Sequence, residues 1–173
     1  MDAIKVGWNP EWEISHKQRV KIRPVRMHEI GRVASIERQC FPDAWNAMEL
    51  RKFRRCWNTY LWVAVVGAKV VGHIMISEGE RSLNVVGVAV DPKYQRMGIG
   101  RQLMDEAGEL LCKRRKRLVT HIRETNLIGQ LFLRQLGFTV TKVLRDVYQQ
   151  ADGELCIRMS IRKVIDEPET FED

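Results

Sequence analysis

Gln95-Arg96-Met97-Gly98-Ile99-Gly100-Arg101 is the stretch whose residue types could do chemistry. It follows an apolar run, Val85 to Val90, that reads as a buried strand stopped by Asp91-Pro92. It precedes apolar residues at Leu103, Met104, Ala107, Leu110 and Leu111, a helical spacing. Strand, glycine loop and helix together make an anion cradle. Glycines let consecutive backbone N–H groups converge on one point, and a helix N-terminus adds partial positive charge. Arg96 and Arg101 flank that point with full charges. The ending excludes a P-loop, which needs Gly-Lys-Ser/Thr, and the loop lacks the three glycines of a dinucleotide fingerprint.

The elements around this loop read in order. Met1 to Gln18 carries Trp8, Pro10 and Trp12 and is expected to be an ordered arm (residues 1–19) packed on the domain. Val20–Val25 alternates as a first strand. His28–Cys40 and Asn46–Trp57 are expected helices, broken apart by Phe41-Pro42-Asp43-Ala44-Trp45. Tyr60–Val66, a turn at Gly67-Ala68-Lys69 and Val70–Ser77 form a hairpin. After the glycine-loop helix come a strand, Leu118–Ile122, and a short helix, Asn126–Leu136, stopped by Gly137. Two strands, Phe138–Tyr148 and Leu155–Ile161, follow around an Ala151-Asp152-Gly153 turn. Residues 163–173 form an acidic tail expected to be flexible.

The 173 residues suit one domain, here 20–162, and the 45% hydrophobic and 29% charged content is that of an ordinary globular protein. No apolar run reaches the length of a membrane span, and the first residues lack a signal-peptide layout, so a cytoplasmic protein is expected. The four cysteines are widely spaced, which points to reduced thiols and no metal site. The net charge of +7 raises nucleic acid as a partner. Its densest run, Lys113–Arg117, suits the negative end of the preceding helix and has no interleaved aromatics, so direct nucleic-acid binding is not the favoured reading.

The Gln95-Arg96-Met97-Gly98-Ile99-Gly100 run, directly after Val88-Ala89-Val90-Asp91-Pro92, resembles the Q/R-x-x-G-x-G/A signature of the GNAT acetyltransferases. The element order β-α-α-β-β-β-α-β-α-β-β is similar to theirs from Val20 to Ile161. Phe41-Pro42-x-x-Trp45, Tyr94-Gln95-Arg96 and Ala151-Asp152-Gly153 resemble the ribosomal-protein alanine acetyltransferases within that superfamily, and Leu136-Gly137-Phe138 after a short helix resembles much of the family. The resemblance implies an α/β (α+β) GNAT fold, a mixed and mostly antiparallel sheet flanked by helices. It also implies acetyl-CoA as cosubstrate, held by Arg96, Met97, Gly98, Ile99, Gly100 and Arg101, with the backbone of Val88, Ala89 and Val90 along the pantetheine arm. Asn126 matches the family asparagine beside the coenzyme, and it can equally be an N-cap.

The implied chemistry moves an acetyl group from a thioester to an amine. A protein α-amine, with a pKa of about 7.7–8.0, sheds its proton more readily than lysine at about 10.4. A backbone N–H on the central strand is the natural oxyanion donor. His121 stands where the alanine acetyltransferases carry a catalytic glutamate. Some eukaryotic N-terminal acetyltransferases carry a histidine there and use it as a base through water, and an imidazole pKa of about 6.5 suits that task. Leu133 departs from the family tyrosine that protonates the leaving sulfur, which leaves Tyr148 or water as donor. The expected acceptor is a protein or peptide N-terminus, with ribosomal proteins among the candidates. A small amine, a silent acyl-CoA-binding module and an RNA-binding scaffold stay open as alternatives. The basic helix carrying Arg51, Lys52, Arg54 and Arg55 argues against polyamines.

Overall fold

The computed structural model describes residues 20–114, 117–145 and 155–162. The Trp8–Trp12 arm, Tyr148, the Ala151-Asp152-Gly153 turn and the tail 163–173 lie outside them. Among the described residues the element order is the expected one. It runs β1 (Lys21–Pro24), α1 (Ile30–Cys40), α2 (Ala47–Arg55), β2 (Thr59–Val66), β3 (Lys69–Glu78), β4 (Leu83–Val90), α3 (Ile99–Arg114), β5 (Arg117–Arg123), α4 (Leu127–Gln135), β6 (Thr139–Leu144) and β7 (Cys156–Arg162).

The seven strands form one sheet in the order β1-β2-β3-β4-β5-β7-β6. Every pairing is antiparallel except β4 with β5. That parallel pair is joined through α3, because two parallel neighbours need a long crossover. Each face of the sheet builds its own core. On one, α3 and α4 pack Leu103, Ala107 and Leu133 against Ile74, Ile76, Leu83, Val85 and Met159. On the other, α1 and α2 pack Ile30, Val33, Ile36, Leu50 and Phe53 against Val63 and Met75.

Local chemistry sets the helix ends. α1 stops at an extended Phe41 (φ −134°, ψ 140°), because the following Pro42 disfavours helical backbone there. α2 starts in a capping box. The Asn46 side chain accepts from the amides of Met48 (2.8 Å) and Glu49 (3.1 Å), and Glu49 accepts from the Asn46 amide (2.7 Å). The sequence favours this helix through Trp57, yet it ends at Arg55. The Thr59 hydroxyl lies 2.6 Å from the Phe53 carbonyl and 2.9 Å from that of Cys56, and Asn58 turns the chain at φ +58°. Asparagine is one of the few residues that tolerate that left-handed conformation.

A buried hydrogen-bonded pair ties α1 to the sheet. Glu37 (1% exposed) lies on the apolar stripe of α1, and His73 (0%) lies within the apolar run of β3. Their Oε1 and Nε2 are 2.7 Å apart, and the second Glu37 oxygen accepts the Trp45 amide at 3.2 Å. Removing one partner strands the other in a dry interior. Glu37→Ala is expected to lower unfolding stability by about 1–3 kcal/mol, read as a shifted urea midpoint at constant slope.

Candidate active site

The site grows from an irregularity in β4. Across from β3, Met75 pairs with Gly87 and Ile76 with Val85, so Val86 is an extra residue in the ladder. Such a bulge bends its strand. On the other side β4 meets β5 for three pairs only, Leu83 with Leu118, Asn84 with Val119 and Val85 with Thr120. There the strands part. The Thr120 hydroxyl donates to the Val85 carbonyl at 2.9 Å, closing the last rung. Beyond it β4 has an edge with no β5 partner. The Asp91 amide bonds Val71 on the β3 side. By alternation Ala89 also faces β3, while the backbone groups of Val88 and Val90 face the gap. Of these, the Val90 carbonyl already accepts from the Gln95 side chain at 2.9 Å and from Cys40 Sγ at 3.4 Å. Among the described residues, the donors this edge leaves without a partner are therefore the Val88 and Val90 amides. Among Val88, Ala89 and Val90, only the odd member turns away from the gap.

The glycine loop stands at one mouth of the gap. Asp91 fixes its approach, accepting from the Lys93 amide at 2.9 Å and pairing with Arg32 of α1. Those contacts, the Lys93 amide foremost, hold its carboxyl below the usual range. Arg96 and Gly98 take left-handed conformations, φ +64° and +76°. α3 then begins with Gln102 donating to the Gly98 carbonyl at 3.1 Å. The amides of Ile99, Gly100 and Arg101 make no hydrogen bond to the described residues. Glycine at the cap has no side chain to satisfy them, and the first turn holds no acidic residue. Three unclaimed donors at the positive end of a 16-residue helix fit a pyrophosphate. Gly100 also lies close against α4, where a Cβ would come within 3.3 Å of the Phe132 ring. Arg96 and Arg101 are exposed beside this point.

Asn126 caps α4, with its Oδ1 accepting the Gly129 amide at 2.9 Å. The first turn of α4 sits so close to β5 that a Cβ on Gly129 would be 2.6 Å from Ile122. The short helix is thereby clamped to the diverging strand. Leu133, where the family tyrosine was missed, is 4% exposed within the main core. A tyrosine there must find room in packed surroundings before its hydroxyl reaches anything, and overpacking of this kind costs about 1–3 kcal/mol.

His121 is the first residue of β5 past the last rung. Its neighbours Thr120 and Ile122 face α3 and α4, so His121 and Arg123 point to the opposite face, beneath the α1–α2 loop. That loop sends Asp43 to an ion pair with Arg123. His121 is exposed and registers with Arg158 of β7. Partial burial, and then the charge of Arg158, depress its pKa below the ordinary 6.5. At neutral pH it is therefore an uncharged imidazole able to accept a proton. An NMR titration should show one of the four histidines, assigned by its loss in His121→Ala, with a midpoint below 6.5. Arg158→Gln should move that midpoint up.

The structure thus gathers Val88, Val90, Gly98, Ile99, Gly100, Arg101, Asn126 and His121 around one split in the sheet. Tyr148 lies outside the described residues. Sequence reasoning passed over Thr120, Gln95 as a carbonyl cap, the Asp43–Arg123 pair and the Glu37–His73 pair. The last had a signal: a carboxylate on a helical apolar stripe and a histidine in an apolar strand.

The acetyltransferase (GNAT) family model matches residues 30–138. An N-alpha-acetyltransferase of Sulfurisphaera tokodaii is 28% identical over 148 residues, covering 78% of this chain and 87% of that protein. The ribosomal protein bS18-alanine N-acetyltransferase of Escherichia coli K12 is 25% identical over 133 residues, covering 70% and 89%. The solved structure of the ribosomal-protein-S18-alanine N-acetyltransferase from Escherichia coli shares the fold, with a TM-score of 0.75 at 20% identity over 88% of this chain and 99% of that one. With the parted strands, the uncapped glycine-loop helix and these matches together, the chain belongs to the GNAT family and is an acetyl-CoA-dependent N-acetyltransferase.

Proposed function

We propose that the protein acetylates the N-terminal α-amine of a protein or peptide, by direct attack in a ternary complex. The observation that carries this reading is the gap between β4 and β5. It opens on one face to the unclaimed amides of α3 and on the other to His121 beneath the α1–α2 loop. Coenzyme and acceptor then approach from opposite faces and meet in the gap.

Acetyl-CoA supplies the acetyl thioester and a thiol that leaves. The amides of Ile99, Gly100 and Arg101, with Arg96 and Arg101 beside them, hold its pyrophosphate. The Val88 and Val90 amides on the open edge of β4 give donors for the carbonyl oxygen as negative charge builds there. His121 accepts, directly or through one water, the proton that the α-amine must lose. Asn126 holds α4 against the coenzyme. Tyr148 or water returns a proton to the sulfur, since Leu133 carries none. An α-amine is the better match for a base of this strength than a lysine amine, whose pKa is about two to three units higher. Relatives at 25–28% identity, named as an N-alpha-acetyltransferase and a ribosomal protein bS18-alanine N-acetyltransferase, support the same choice. Ribosomal-protein N-termini are the first candidates to try.

The test is thiol release from acetyl-CoA with a panel of N-terminal peptides, N-terminally blocked lysine peptides, a polyamine and an aminoglycoside. Turnover confined to free α-amines is expected. Faster turnover on the small amines would replace this reading with a small-molecule acetyltransferase. Binding of acetyl-CoA with no turnover on any amine would leave a silent acyl-CoA module.

A further inference from the structure

Helix α2 buries Leu50 and Phe53 and turns its other side chains toward solvent at its C-terminal end. Arg51, Lys52, Arg54 and Arg55 are all exposed, and Glu49, the single carboxylate of the helix, is taken up in the capping box at the far end. The helix dipole favours cations in a last turn, but it does not account for what surrounds them. Arg23, Arg32 and Arg123 each meet a carboxylate. Arg51, Lys52 and Arg55 have no ion-pair partner among the described residues. Among the described residues Arg54 reaches only the Met27 sulfur, at 3.1 Å.

Two residues past the helix, Trp57 is 93% exposed, more than any other large apolar side chain described. An indole is among the most costly side chains to leave in water. A solvated helix end requires cations and water; it does not require an unpacked tryptophan beside four of them.

We infer that this end of α2 is a docking face for a single-stranded nucleic acid. Arg51 with Arg54 and with Arg55 stand three and four residues apart, which places them as neighbours at about 5–6 Å on one helix surface. Such a row tracks a phosphate backbone, and the guanidinium planes can stack on bases as well. Trp57 supplies what a purely ionic patch lacks, a flat aromatic face for a base. A lipid surface fits less well, since the apolar side of α2 is committed to the core through Leu50 and Phe53. An acidic polypeptide would meet the charges and leave the indole unused. The other basic run of the sequence, Lys113–Arg117, lacks an aromatic.

The test titrates the full chain into a fluorescently labelled single-stranded RNA of about 12 nucleotides. Binding is expected to weaken with salt, the logarithmic slope being about −0.7 for each phosphate neutralised. Arg51→Gln/Arg55→Gln should flatten the slope by about 1.4. Trp57→Ala should weaken binding roughly tenfold at unchanged slope, and Trp57→Phe should restore most of it. Acetyl-CoA affinity, unchanged throughout, confirms that each variant is folded. The inference is overturned by absence of RNA binding, or by loss of binding in Lys113→Gln/Arg115→Gln/Lys116→Gln with the α2 variants unaffected. Equal binding of poly-glutamate or anionic vesicles, with Trp57→Ala neutral, overturns it too.

Discussion

Replacing His121 with alanine is expected to slow acetyl transfer to peptide α-amines about 10²–10⁴-fold and to leave acetyl-CoA affinity unchanged. The size follows from what the position offers. His121 is the first side chain past the point where β5 leaves β4, and its depressed pKa keeps it in the basic form at pH 7. The same depression fixes the pH behaviour. Protonation disables the base, so its contribution is present above the depressed pKa and lost as pH falls through it. That loss comes at a lower pH than an ordinary imidazole would give. His121 points to the face of the sheet opposite α3 and its glycine loop, which is why coenzyme affinity separates from rate. The slowed transfer in His121→Ala should be partly relieved at high pH, where more of the amine is already deprotonated. A His121→Ala enzyme with wild-type turnover at pH 7 would make the residue structural and move the base elsewhere.

Gly98→Glu is expected to weaken acetyl-CoA binding about a hundredfold, measured by calorimetry, in a protein that still folds. Two causes add. Gly98 holds φ +76°, a conformation that side-chain-bearing residues adopt at a cost of about 1–2 kcal/mol, so the loop is pressed away from its anion-binding shape. The new carboxylate also stands beside the phosphates, where two like charges 4 Å apart repel by about 1–4 kcal/mol at dielectrics between that of water and a protein surface. Nothing lies within 4 Å of a Cβ at this position, so the damage falls on the ligand and not on the core. Gly100→Leu should weaken binding by another route, through the 3.3 Å approach of its Cβ to Phe132, and should cost stability as well. Full affinity in a folded Gly98→Glu protein would remove the pyrophosphate from this loop.

The two substitutions probe opposite faces of one gap, and together they show why the sheet must part. A continuous β4–β5 ladder would consume the Val88 and Val90 amides in strand pairing. The bulge at Val86 and the Thr120 hydroxyl on the Val85 carbonyl end the ladder without leaving that carbonyl unpaired. The loop over His121 is held at two points, by Asp43 on Arg123 and by Glu37 on the Trp45 amide. The face of the gap on which His121 lies is therefore bounded by a tethered loop.

Much of this was legible in the residues themselves. The glycine loop, its flanking arginines and the helix behind it are local. Their meaning depends on φ freedom and helix-end amides set within a few residues, and the sequence by itself determined them. The order of strands and helices was legible for the same reason, because apolar spacing at two or at 3.6 residues records which side of each element is buried. Even the overlong reading of α2 failed only at its end, where Thr59 and Asn58 act on the last turn. Tertiary structure alone decided the rest. The extra residue at Val86 is visible only against its partner strand, since a bulge is a relation between two registers. Where β4 leaves β5, whether Leu133 faces the cleft or the core, and that Glu37 meets His73 across 36 residues are facts of long-range pairing. The exposure of Trp57 is of the same kind. Neighbours along the chain fix what a residue can do locally, whereas burial, charge pairing and the opening of the sheet depend on segments that meet only once the chain has folded.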